Sequence, residues 1–213
     1  MSEEITREEI IEQFKGNKVL KGITIAVGVL VVGVLVYFAY NTFIAKPNEL
    51  ASNTQNARGI MLLEKDSLDL AIEELEIHAD EFNGYTGGEV AQFGLASAYF
   101  KKGDFEMALS TLKDVKLEDI YLSTMAIGMQ GDCYSEMEDY QSAVEKYIVA
   151  AEKDKNDLTT PMYLFKAGLN AEAAKDFAKA AEFYNRINEE YTSYAAQNGI
   201  EKYIARAENS STK

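Results

Sequence analysis

The chain has 213 residues, 47% of them hydrophobic, with only two prolines, Pro47 and Pro161, so it can bury a core and extensive disorder is excluded. Its 35 Asp and Glu outweigh 21 Lys and Arg, and a formal net charge of −14 repels phosphate backbones, which sets nucleic-acid binding aside. A single cysteine, Cys133, rules out an intrachain disulfide and reads as a small buried hydrophobe within a helix.

Residues 2–14 read as a short acidic amphipathic helix with Thr6 as its N-cap and Ile5, Ile10, Ile11 and Phe14 on one face. It is either a solvated tail or a docking element for a membrane-protein partner.

From Gly22 to Ala45 no residue is charged. A helix of that length reaches about 36 Å, enough to cross a hydrocarbon core of about 30 Å. Tyr37, Phe38, Tyr40 and Phe43 gather at its exit, as an interfacial aromatic belt would, and Pro47 is expected to end the helix. The apolar run is too long for a cleaved leader and no small-x-small site follows, so it reads as an uncleaved signal anchor. Gly28 and Gly33 are five apart, so there is no GxxxG pairing motif. Arg7, Lys15, Lys18 and Lys21 precede the span, and Lys46 and Arg58 follow it. The positive-inside rule then puts residues 1–21 in the cytoplasm and residues 46–213 across the membrane.

Beyond the span, three segments share a pattern. The first holds Leu95, Ala96, Tyr99, Gly103, Asp104, Phe105, Ala108, Leu109 and Leu112. The second holds Gly131, Tyr134, Asp139, Tyr140, Ala143, Val144, Tyr147 and Ala150. The third holds Ala167, Gly168, Ala171, Asp176, Phe177, Ala180, Ala181, Tyr184 and Ile187. The aromatic after Asp recurs at 105, 140 and 177, spacings of 35 and 37. This resembles the tetratricopeptide repeat, a helix–turn–helix unit of about 34 residues. Small residues at 96, 131 and 168 let the first helix (A) approach the second (B), and the large residues at 112, 147 and 184 meet the next unit.

A degenerate unit precedes these, with Gly59, Leu68, Ala71 and Leu75 in the same slots and a loop over Phe82–Gly88 in place of a short turn. A single helix over about 194–208 is expected to cap the stack, and residues 209–213 to fray. The reading is therefore all-α. It comprises a cytoplasmic segment (1–21), a transmembrane helix (22–45), a linker with a degenerate repeat (46–88), three repeats in a helical-hairpin solenoid (89–190), and a capping helix with tail (191–213).

Chemistry is absent from the pattern. His78, the sole histidine, falls in a packing slot of the degenerate unit. There is no HExxH, GxSxG or phosphate-binding loop, and the carboxylates scatter along helix faces. No enzyme activity, metal, cofactor or small-molecule substrate is expected.

The resemblance implies that helix A of each unit lines a concave groove. Its slots fall on Val90, Phe93, Ser97 and Phe100, then on Met125, Gly128, Asp132 and Ser135, then on Met162, Phe165 and Leu169. A surface rich in Phe and Met suits varied polypeptide partners, unless the 83–88 loop or a terminal helix fills it. Some members of the family clamp a peptide carboxylate with Lys, Asn and Arg in these slots. Here Phe93, Ser97 and Asp132 stand there instead.

In size and order the chain is similar to the YfgM-type ancillary subunits of the bacterial Sec translocon. That resemblance implies an inner-membrane protein with a periplasmic repeat domain and a chaperone-like role in protein export. Its implied partners are translocon subunits, a membrane-anchored peptidyl-prolyl isomerase and unfolded client chains. Two alternatives stay open: a scaffold joining subunits of another envelope complex, and an import-receptor-like protein with cytosolic repeats. The missing clamp counts against the second.

Overall fold

The computed structural model describes residues 11–12 and 17–211. Ile11 and Glu12 are helical, and the rest of the amphipathic segment expected over 2–14 lies outside the described residues, as do Arg7 and Lys15. The chain divides into two compact units, Met1–Leu50 and Ala51–Lys213. Every regular element among the described residues is helical.

In the first unit, Asn17 caps α1 (Lys18–Tyr40), its side-chain oxygen accepting from the Val19 and Leu20 amides at 3.0 and 3.2 Å. No α1 residue is buried, and this helix is long and apolar enough to cross a membrane. Pro47 does not stop it. A π-helical turn, π1 (Asn41–Ala45), leads into α2 (Lys46–Gln55), which contains Pro47. Proline lacks the amide hydrogen and its ring presses on the carbonyl four residues back. The π turn widens the helix there, and the Lys46 amide donates five residues back to Asn41.

The second unit is a stack of helical hairpins. α3 (Ala57–Glu64) pairs with α4 (Leu68–Glu81), α5 (Thr86–Lys102) with α6 (Phe105–Asp114), α7 (Ile120–Glu136) with α8 (Tyr140–Lys153), and α9 (Thr159–Ala173) with α10 (Phe177–Glu190). α11 (Thr192–Asn198) and α12 (Ile200–Ser211) close the stack on α10. Up to α10 each helix of the stack packs mainly on its neighbours in sequence, and α12 packs mainly on α10.

The tight turns explain the recurring Asp-aromatic pair. Helix A ends each time on a left-handed residue: Asp66, Gly103, Glu138 and Lys175. In the three clear units an Asp follows and caps helix B, accepting from the Met107, Ser142 and Lys179 amides at 3.3, 3.2 and 3.1 Å. The Asp amide donates back to helix A, to Tyr99, Tyr134 and Ala171 carbonyls at 2.9, 2.9 and 2.8 Å. This ties off the end of one helix and the start of the next.

Packing then follows the small residues. Ala71, Ala108, Ala143 and Ala180 are fully buried at the A–B crossings. The Tyr147 ring lies over Gly131, where a Cβ would sit 2.7 Å from a ring carbon, and Tyr184 lies over Gly168 in the same way. Leu112, Tyr147 and Tyr184 are almost wholly buried. Cys133 is fully buried too, and burial, with the Asp132 charge adding to it, pushes its thiol up to about 12.

Two expectations are corrected. The loop expected over Phe82–Gly88 is shorter, because α5 begins at Thr86. Gly87 and Gly88 form its first turn, laid against the backbones of Ser52 and Phe82, where a side chain would collide. The capping helix is two helices. Gly199, with φ of 61°, breaks the chain between α11 and α12, and α12 carries the helix through residues 209–211.

Candidate partner-binding groove

The slots on α5, α7 and α9 have unequal fates. Val90, Phe93, Ser97, Phe100, Met125, Asp132, Ser135, Met162 and Phe165 are half-buried, and Leu169 is 37% exposed. Gly128 is covered by the Tyr163 ring, so it offers no open slot. Phe100 turns into its own hairpin, 5.4 Å from the Phe105 ring. Phe165 packs edge-on to Tyr203 of α12 at 4.8 Å and against Tyr184 at 6.0 Å. The terminal helix thus takes up part of the third unit's slots.

Contacts between successive A helices make the floor continuous. The Ser97 hydroxyl reaches the Met129 sulfur at 3.8 Å, linking α5 to α7. Asp132 and Lys166 pair at 2.7 Å, linking α7 to α9. Arg206 grips both carboxylate oxygens of Glu172, linking α9 to α12. Lys166 is the residue that repeat alignment missed, because it lies outside the groove slots. Its signal was only a spacing of 34 residues from Asp132.

Asp132 is the polar centre. It also accepts from the buried Tyr147 hydroxyl at 2.6 Å, and the Lys166 ammonium lies 5.6 Å from the Tyr147 ring centroid. Burial raises the Tyr147 pKa strongly, and the nearby Asp132 charge raises it further. The same two causes push Tyr163 up to about 12. Both phenols stay neutral in any physiological medium, and neither is poised for proton transfer.

His78 is 6% exposed, its Nε2 3.0 Å from the Ser52 carbonyl oxygen and its ring tilted on Phe82 with centroids 4.6 Å apart. Within the second unit it ties Ser52 to α4, a structural task. Among the described residues no group of three or more His, Cys, Asp or Glu could hold a metal ion.

Charge is divided unevenly over the second unit. Residues 51–211 hold 29 Asp and Glu against 15 Lys and Arg. Along the A helices, however, Asp132 is matched by Lys166, and Glu172, near the end of α9, by Arg206 of α12. What remains among the predicted slots is apolar or carries only a hydroxyl.

Residues 90–118 and 163–193 match the tetratricopeptide repeat family. The stack is a tetratricopeptide-like solenoid. Among solved structures it is similar to the nearly identical TPR-like repeats of a candidate kinesin light chain from Podosopora anserina. That likeness has a TM-score of 0.58 and 16% identity, covering 78% of this chain and 88% of the other. A single-substitution variant of those repeats gives a TM-score of 0.57 at the same identity and coverage. No curated protein matches the sequence. The tetratricopeptide-like repeats suggest a protein–protein interaction scaffold.

Proposed function

We propose that the chain is a non-catalytic, membrane-anchored chaperone-like subunit that assists protein export at the Sec translocon. The observation that carries this reading is the contrast within the second unit. A charge-compensated floor with apolar slots, Val90, Phe93, Met125, Met162 and Leu169, lies on a domain with a large acidic excess. Such a floor favours extended apolar stretches of an unfolded chain, and the surrounding negative charge keeps the loaded complex soluble. Residues 22–45 serve as the single span in the inner membrane, with residues 1–21 cytoplasmic and 46–213 periplasmic. The similarity to YfgM-type subunits supports translocon components and a membrane-anchored isomerase as standing partners.

The test is mild-detergent purification of the tagged protein from its native membrane, with partners identified by mass spectrometry. Translocon subunits or a membrane-anchored isomerase are expected, together with many substoichiometric clients that Met125→Lys with Leu169→Lys removes. Recovery of one unrelated envelope complex in fixed stoichiometry would sink the export reading and leave a dedicated scaffold.

A further inference from the structure

Away from the groove, α4 has an outer face unlike that of any other helix in the stack. Asp69, Glu73, Glu76, Asp80 and Glu81 are all exposed there, and no other helix of the second unit exposes five carboxylates among the described residues. Two aliphatic side chains stand among them, Leu70 at 57% and Ile77 at 59% exposed. They are seven apart, so they share one stripe of the helix. Lys102 pairs with Asp69 at 2.6 Å, but among the described residues no ion pair reaches Glu73, Glu76, Asp80 or Glu81.

This face runs into a recess between α4, α5 and α6 with a volume of about 280 Å³. Glu76 and Asp80 line one wall and Asp114 the other, with Asn83 and Gln92 between, and no Lys or Arg lines it. Gln92 donates to the Thr111 carbonyl at 3.3 Å, which joins α5 to α6 beneath the recess. Three carboxylates around one concavity repel one another, and a cation entering it relieves all three at once.

We propose that this face docks a helical segment of a partner polypeptide that carries two aliphatic side chains beside Lys or Arg, with one basic side chain entering the recess. The stripe of Leu70 and Ile77 gives the apolar contact, and the carboxylates select the sign of charge around it. A second copy of the same face is rejected by like-charge repulsion. The inference is independent of the groove reading, because α4 contributes no groove slot.

The probe is a labelled synthetic helical peptide with Leu at two positions seven apart and Lys three and four residues after the first. Its binding to the full chain in mild detergent is followed by fluorescence anisotropy. Saturable binding that weakens with salt is expected. Glu76→Gln with Asp80→Gln should weaken it about tenfold, and Leu70→Ala with Ile77→Ala by a similar factor. Glu182→Gln with Glu189→Gln removes the same charge from α10 and should leave binding unchanged. All six of these residues are exposed, and circular dichroism checks that every variant keeps its helix content. Equal weakening by the α10 pair would reduce the effect to diffuse charge and overturn the proposal. So would equal binding of a peptide with Glu in place of Lys, absence of binding at millimolar peptide, or self-association of the chain that the Leu70 and Ile77 changes abolish.

Discussion

Tyr147 donates its hydroxyl to Asp132 across 2.6 Å, while Tyr184, in the same slot of the next unit, has a buried hydroxyl with no acceptor for its proton among the described residues. The difference traces to one residue. Where the second unit has Asp132, the third has Leu169. Arg206, which also holds Glu172, stands beside the Tyr184 phenol and favours its ionisation, but burial and the Glu172 charge outweigh it.

Opposite outcomes follow for two identical substitutions. Tyr147→Phe removes a hydrogen bond to a charged acceptor and should cost about 2 kcal/mol. Tyr184→Phe removes a buried hydroxyl that donates to no acceptor and should leave stability unchanged or raise it by up to about 1 kcal/mol. Thermal unfolding of the two variants in the same detergent checks this. Equal destabilisation would mean that Tyr184 has an acceptor after all.

The turns give a second pair of opposed changes. Lys175 is held at φ 63° and Gly103 at φ 86°. A side chain in that region costs about 1 kcal/mol, a penalty that glycine does not bear. Lys175→Gly should therefore stabilise by up to about 1 kcal/mol, and Gly103→Ala should destabilise by about as much. The space around Gly103 is open, so backbone strain alone is tested. Chemical denaturation of both variants reads the sign directly.

Alkaline pH should unfold the stack. Cys133 is raised from 9.0 to about 12 and Tyr163 from 10.0 to about 12, burial being the main cause in each. Each group loses its proton more readily in the unfolded chain. Below pH 9 both states keep both protons and nothing is lost. Above it the unfolded state releases protons first, so stability falls as pH rises toward 12, by at most about 1.4 kcal/mol per pH unit for each group. Cys133→Ala should make the decline between pH 9 and 10 shallower in a melting-temperature series. An unchanged slope would remove Cys133 from the account. The same burial should keep the thiol unreactive to iodoacetamide until the protein unfolds.

The repeat frame was legible because it depends on side-chain size at fixed spacing. Ala108, Ala143 and Ala180 announce close helix crossings, and Leu112, Tyr147 and Tyr184 fill the space beyond them. Pro47 misled because its effect on a helix depends on the turn that precedes it, and a π turn leaves no mark in residue type. Gly199 was passed over because Ala196 and Ile200, on either side of it, stand four apart and continue a helical period. In the groove, Met125 and Leu169 were legible as apolar slots. That a terminal helix could fill the groove was legible, but not that Phe165 is the residue it covers, because Tyr203 lies 38 residues away on a helix outside the repeat. Lys166 escaped because it lies outside the aligned slots, and its spacing of 34 residues from Asp132, one repeat length, was its only signal.

The cap is the last test. Tyr203 lies against Phe165, and its ring centroid is 5.5 Å from that of Tyr184. Arg206 stacks on Tyr203 at 4.8 Å while holding Glu172. The aromatic seal and the ion pair thus share two neighbouring turns of α12. In a linear stack each hairpin is held mainly by its neighbours, so damage at one end spreads only as far as the next interfaces. Tyr203→Ala should cost about 3 kcal/mol, and its effect should be local. Hydrogen exchange should quicken in α10 and α12 while α5 and α6 keep their protection. Apolar dye binding should rise as Phe165 becomes exposed. If protection falls evenly from α5 to α12, the stack unfolds as one cooperative block and the cap has no local role.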